Sequence, residues 1–131
     1  MVTLFQVPAG LGTVLSYTFR NNNLQGLTDT DLVGVQALSI RLTLTQGETN
    51  FNFVRQAFLY VATDTSITEI GYNLDVPSNN SNTLDLLVNV TDIKNLLNRS
   101  AFDLSLKLNL RANTLQTSQI YTQIVLGLDK D

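Results

Sequence analysis

Few residues in this 131-residue chain carry chemistry, and their types narrow what it can do. The chain has no cysteine, no histidine and no tryptophan. That excludes a Ser-His-Asp triad, a cysteine nucleophile and a zinc site of the common kind. Carboxylates and tyrosines remain. Asp29 and Asp31, split by Thr30, are the candidate metal ligands, because calcium takes oxygen donors. They lack the glycine and terminal glutamate of a calcium loop, and an Asx-type turn is the plainer reading. Asp75 and Asp85 flank the turn-rich stretch 77–82, and two carboxylates at a suitable separation hydrolyse glycosides. Solvated strand ends explain them more simply. Gly10-Leu11-Gly12 has neither the third glycine nor the following helix of a phosphate loop. No catalytic residue, metal or cofactor is therefore expected.

Tyrosines are the other candidates. Sugar rings stack on flat aromatic surfaces, and without tryptophan the tyrosines must supply them. Tyr17 and Tyr60 fall in core patterns, which leaves Tyr72 and Tyr121 as the expected ligand-binding platforms. Arg41, Arg55, Lys107 and Arg111 would form a basic stripe if they shared an outward face. Outward charges on strands ordinarily serve solubility and edge protection.

The elements that must position these residues follow from alternation of period two, the mark of a strand with one face on a core. It appears at Leu15, Tyr17 and Phe19, and again at Leu38, Ile40, Leu42 and Leu44. The stretch 53–62 is apolar on both faces and predicts a central strand. The stretch 67–76 is irregular and closed by Pro77, which predicts an edge strand. Leu84, Leu86, Val88 and Val90 alternate, as do Phe102, Leu104, Leu106, Leu108 and Leu110. The last strand carries Ile120, Thr122, Ile124, Leu126 and Leu128 on one face. Between two of these runs the period changes. Thr91 or Asp92 is a good N-cap, and Ile93, Leu96 and Leu97 follow at helical spacing, which predicts a short helix near 92–98 that plugs one end of the core.

Seven or eight strands without alternating long helices predict one domain over residues 1–131. Its expected fold is an all-β antiparallel sandwich, immunoglobulin-like or jelly-roll, with an up-and-down barrel as the alternative.

Composition bears on location. Charged residues make up 15% of the chain against about 25% in a typical globular protein, with Asn, Thr, Gln and Ser in their place. A neutral amide-and-hydroxyl surface without a free thiol suits an exported protein. An export signal, if there is one, is expected to have been removed ahead of Met1. With eight cationic against eleven anionic residues, no nucleic-acid footprint is expected. No apolar run reaches the length of a membrane span. The N-x-S/T triplets at Asn79, Asn89 and Asn98 are no more frequent than chance gives. Mean hydropathy is positive, so some apolar surface is either packed in the core or hidden against a partner or a lipid. The stretches 51–62 and 120–128 are where such a surface is expected.

Residues 84–110 read LDLLVNVTDIKNLLNRSAFDLSLKLNL, and a Phe51-x-Phe53 precedes an alternating strand within 38–61. These two stretches resemble uncharacterised exported β-sandwich domains of Gram-negative bacteria, many of them lipoproteins. In that group a strand ending in a V-T-D cap leads to a short helix and an F-x-L-x-L strand. The resemblance implies an antiparallel sandwich at the cell envelope and assigns no activity and no functional residue. No lipidation cysteine is visible here.

The sequence thus points to a non-enzymatic, exported binding or assembly module that contacts a protein or cell-surface macromolecule, with a homo-oligomer among its expected states. A small-ligand carrier for glycan or lipid is the alternative, with Tyr72, Tyr121 or the interior as its contact.

Overall fold

The computed structural model describes residues 2–9, 14–21, 32–63, 66–93, 95 and 102–130. Eight strands run in chain order: β1 (Val2–Val7), β2 (Val14–Asn21), β3 (Leu32–Gln46), β4 (Val54–Ala62), β5 (Ile67–Asn73), β6 (Thr83–Val88), β7 (Phe102–Leu110) and β8 (Ser118–Lys130). One 3-10 turn, Phe51–Phe53, precedes β4 and is capped by the Asn50 side chain. All strand pairings are antiparallel, and the spatial order is β1-β8-β3-β6-β5-β4-β7-β2.

The expected division into two separate sheets is not what the hydrogen bonds draw. A short pairing of β5 with β6, Gly71 to Val88 and Tyr72 to Leu87, joins all eight strands into one sheet. Its end strands β1 and β2 approach each other, so the sheet is nearly closed. The junction depends on Gly71. A Cβ there would stand 2.4 Å from Cδ1 of the buried Ile40, which packs over this corner from β3.

The core forms where alternation puts apolar side chains on the inner face. β7 is the simplest case: Phe102, Leu104, Leu106, Leu108 and Leu110 are all buried, with partly exposed residues between them. β7 lies between β4 and β2, and Val54, Ala57, Leu59 and Val61 of β4 bury beside it. Fully burying a side chain of this size stabilises a fold by about 1.5–3 kcal/mol. β4 lies inside the sheet between β5 and β7, with one face on the core and the other partly exposed rather than covered.

Several expectations change for local reasons. β5 is not an edge strand, since it lies between β4 and β6. Its irregular pattern comes from a bulge: Leu59 pairs with Gly71 and Tyr60 with Glu69, so the intervening Ile70 is an extra residue, turned into the core. A second bulge shifts the phase of β3. Ala37 pairs with Leu126 and Ser39 with Val125, so Leu38 is the extra residue. Val35 and Ala37 are buried before it and Ile40, Leu42 and Leu44 after it, while Leu38 is 54% exposed. Val90 lies beyond the end of β6 and is 90% exposed. β1 has no polar alternation to reveal it, because Val2 and Leu4 face outward while Thr3, Phe5 and Val7 face the core.

The predicted helix near 92–98 lies largely outside the described residues. Asp92 and Ile93 are described. Asp92 Oδ1 accepts from the Val35 N–H at 3.0 Å, the Ile93 N–H donates to the Val35 carbonyl at 2.8 Å, and the Ile93 side chain is buried.

Candidate functional site

Two outward faces differ sharply in chemistry. The first is formed by β1, β8, β3 and β6. Cross-strand register puts directly opposed residues on one side of a sheet. Leu4 pairs with Tyr121, and Tyr121 in turn with Thr43. One pleat along, Val2 pairs with Gln123, Gln123 with Arg41 and Arg41 with Asp85. The next pleat carries Val125 and Leu87. The bulged Leu38 lies over Gly127, where an added Cβ would come within 3.1 Å of three of its side-chain atoms. Six exposed apolar side chains thus share this face: Val2, Leu4, Leu38, Leu87, Tyr121 and Val125. The polar Thr43, Ser39, Gln123, Arg41 and Asp85 stand among them in the same rows.

Arg41 and Asp85 sit in the middle of that face. Arg41 Nε donates to Asp85 Oδ1 at 2.7 Å and Nη2 to Oδ2 at 3.1 Å, a two-pronged pair open to solvent. The hydrogen bond to Arg41 holds the Asp85 carboxyl below its ordinary value, and the same bond raises Arg41. Beside the pair runs an open groove of about 520 Å³, lined in part by Leu38, Leu86, Leu87, Val88 and Gln123.

The second face is formed by β5, β4 and β7. Phe58 and Tyr60 stand two residues apart on β4 with ring centroids 6.4 Å apart and planes 24° apart. Tyr72 of β5 lies directly across from Phe58. Lys107 of β7 lies opposite Phe58 on the other side, with Nζ 5.9 Å from the ring centroid. Glu69 is opposite Tyr60, and its Oε2 accepts from Asn89 Nδ2 at 3.1 Å. Burial first, and the Glu69 charge second, raise the Tyr60 phenol above its ordinary value, so it stays a neutral hydroxyl at any physiological pH.

The structure separates the two tyrosines chosen from sequence. Tyr121, 37% exposed, stands among aliphatic residues on the first face, whereas Tyr72 belongs to the aromatic row of the second. Phe58 and Tyr60, assigned to a covered strand, are half-buried and outward-facing. Their i, i+2 spacing was the available signal, but the apolar residues between them masked it. Asp29, Asp31 and the Gly10–Gly12 segment lie outside the described residues.

The basic stripe does not form. Arg41 is bound to Asp85, and Lys107 lies over Phe58 on a different face. Arg111 closes the far end of β7: it donates to the carbonyls of Val76 at 2.7 Å and Asn52 at 3.3 Å, and to Ser78 Oγ. Asp75 uses its backbone N–H on Asn73 Oδ1, while the Asp85 carboxylate is committed to Arg41. Among the described residues no cluster of three or more His, Cys, Asp or Glu could hold a metal, and no helix is long and apolar enough to cross a membrane.

Comparison with family models gives no match, and neither curated proteins nor solved structures give one. The class that can be stated is an all-β domain of eight antiparallel strands with one aliphatic and one aromatic outer face.

Proposed function

We propose that this domain is a non-enzymatic binding and assembly module, exported or at a cell envelope, that docks through the outer face of β1-β8-β3-β6 onto a second copy of itself. The observation that carries this reading is the set of six exposed apolar side chains on one sheet face, where a solvated strand would alternate to polar residues.

The face complements itself. Arg41 and Asp85 lie side by side near its centre, with Leu4 and Tyr121 toward one end and Leu38, Leu87 and Val125 toward the other. A two-fold axis through the centre lays the Arg41–Asp85 pair of each copy against that of the other and each apolar end on the opposite end of its mate. Opposite charges within one patch give no net repulsion between copies.

We read the fold as a jelly-roll sandwich. Support comes from the pairing rule in which strand numbers sum to nine: β1 with β8, β2 with β7, β3 with β6 and β4 with β5. Such a chain is one long antiparallel hairpin rolled up on itself. Its two four-stranded groups are joined in the ladder by two residue pairs of β5 and β6, with hydrogen bonds from Asn73 and Asn89 across the same corner. Export is supported by the low charge, the amide-and-hydroxyl composition and the missing cysteine. A non-enzymatic role is supported by the Asp85–Arg41 pair, which takes one member of the Asp75/Asp85 couple away from acid–base work.

Sedimentation velocity over rising concentration tests the assembly reading. The wild-type chain is expected to form a concentration-dependent dimer, and Leu4→Lys with Val125→Lys is expected to return it to monomer with its thermal midpoint unchanged. A wild-type chain that stays monomeric at millimolar concentration overturns the reading.

A further inference from the structure

We propose that Asn79 is an N-glycosylation site that takes its sugar from a lipid-pyrophosphate-linked oligosaccharide. The inference rests on the export reading, because a chain meets that donor only on an export route. The number of N-x-S/T triplets says nothing, but their places in the fold separate them. Asn79-Asn80-Ser81 lies in the turn-rich stretch 77–82 between β5 and β6, where Asn79 is exposed. Surface loops of exported proteins are where a bulky glycan is tolerated. Asn89 is the opposite case. Its Oδ1 is buried, its Nδ2 donates to Glu69 Oε2 at 3.1 Å and its backbone N–H donates to the Ile70 carbonyl at 3.0 Å. A sugar on that nitrogen would have to enter the corner where β5 meets β6. Asn98 lies outside the described residues.

The local geometry prepares the Asn79 amide for the transfer. Asn79 Oδ1 accepts from the Ser81 backbone N–H at 3.1 Å, an Asx turn closed inside the triplet itself. A hydrogen bond to an amide oxygen favours the deprotonated imidate, whose nitrogen is the better nucleophile. The turn spans three residues, so the chain forms it before its sheet is complete. The residues on either side are engaged elsewhere. Ser78 Oγ accepts from Arg111 Nη1, the Asn80 N–H donates to Asn52 Oδ1 at 3.0 Å and Asn80 Oδ1 accepts from Asn52 Nδ2 at 2.6 Å. In the reaction Asn79 Nδ2 forms a bond to C1 of the first sugar. The C1–O bond breaks, its electron pair leaves on the lipid pyrophosphate, and the Nδ2 proton passes to a base of the transferase.

The test is glycopeptide mass spectrometry on chain recovered from the cytosolic and exported fractions of the cells that make it. Exported chain is expected to carry a glycan on Asn79. Asn79→Gln and Ser81→Ala are expected to abolish the added mass and Asn89→Gln to leave it unchanged. Ser81→Thr, which keeps the acceptor triplet, is expected to retain it and guards against a variant that merely misfolds. Exported chain with Asn79 bare overturns this proposal and leaves the export reading standing. Chain found only in the cytosol, with Asn79 bare, overturns both. A sugar on Asn89 with none on Asn79 also overturns the proposal.

Discussion

The aliphatic and aromatic faces are built from the same local device, a strand whose odd and even residues go to opposite sides, yet they expose different chemistry. On β8 the outward positions hold Tyr121, Gln123 and Val125 above a core row of Ile120, Thr122 and Ile124. On β4 the outward Phe58 and Tyr60 stand above Ala57, Leu59 and Val61. The first face has branched side chains around one ion pair. The second has a stacked aromatic pair with Lys107, Glu69 and Asp103 around it. What the difference teaches is that a core can be equally well filled beneath two surfaces suited to unlike partners. The inner face determines stability, while the outer face is free to specialise.

The comparison breaks most severely where both faces share a foundation. Leu106 is fully buried on β7, so Leu106→Ala is expected to cost about 2–5 kcal/mol in chemical denaturation and to weaken both surfaces together. Next comes the junction between the two four-stranded groups. Gly71→Ala pushes a methyl against Cδ1 of buried Ile40, and a loss of about 1–3 kcal/mol is expected by the same measurement. An unchanged midpoint would mean that the corner relaxes freely.

A change of the opposite sign lies beneath the aliphatic face alone. Thr3 and Thr122 oppose each other across β1 and β8, both buried, and neither hydroxyl has a hydrogen-bond partner among the described residues. Thr122→Val keeps the shape and removes a desolvated oxygen, so a gain of about 1 kcal/mol is expected by calorimetry. A loss instead would reveal a bonded hydroxyl.

The smallest effects on folding sharpen the contrast in function. Val125→Lys is expected to alter stability by no more than about 0.5 kcal/mol, as surface changes usually do, while removing self-association. Acid acts on the same face. Because Arg41 lowers the Asp85 carboxyl, the pair is intact above the ordinary value of 3.8 and is lost as pH falls through the depressed one. Self-association measured by sedimentation should therefore hold through neutral pH and weaken below that value.

Much of this was legible in the residues. The alternation of β7 and its polar complement Asp103, Ser105, Lys107 and Asn109 require a strand with one buried face, and the structure buries that face throughout. The absence of cysteine, histidine and tryptophan removed whole classes of chemistry before any fold was known. The phase of β3 was less legible. A bulge adds one residue without altering composition, so Leu38 reads as core and is found outside. β1 was hidden because both of its faces are mostly apolar.

Local sequence therefore determined that the chain is β-rich, which residues prefer its interior and which chemistries it lacks, because these depend on side-chain type and a two-residue period. Only tertiary structure decided which strands are neighbours. That pairing sets Tyr72 beside Phe58 rather than Tyr121, gives Asp85 to Arg41 rather than to Asp75, and gathers six apolar residues from four strands onto one face. The physical reason is separation along the chain. β1 meets β8, and β2 meets β7, through hydrogen bonds between residues about a hundred positions apart, and no periodicity within a strand encodes its partner.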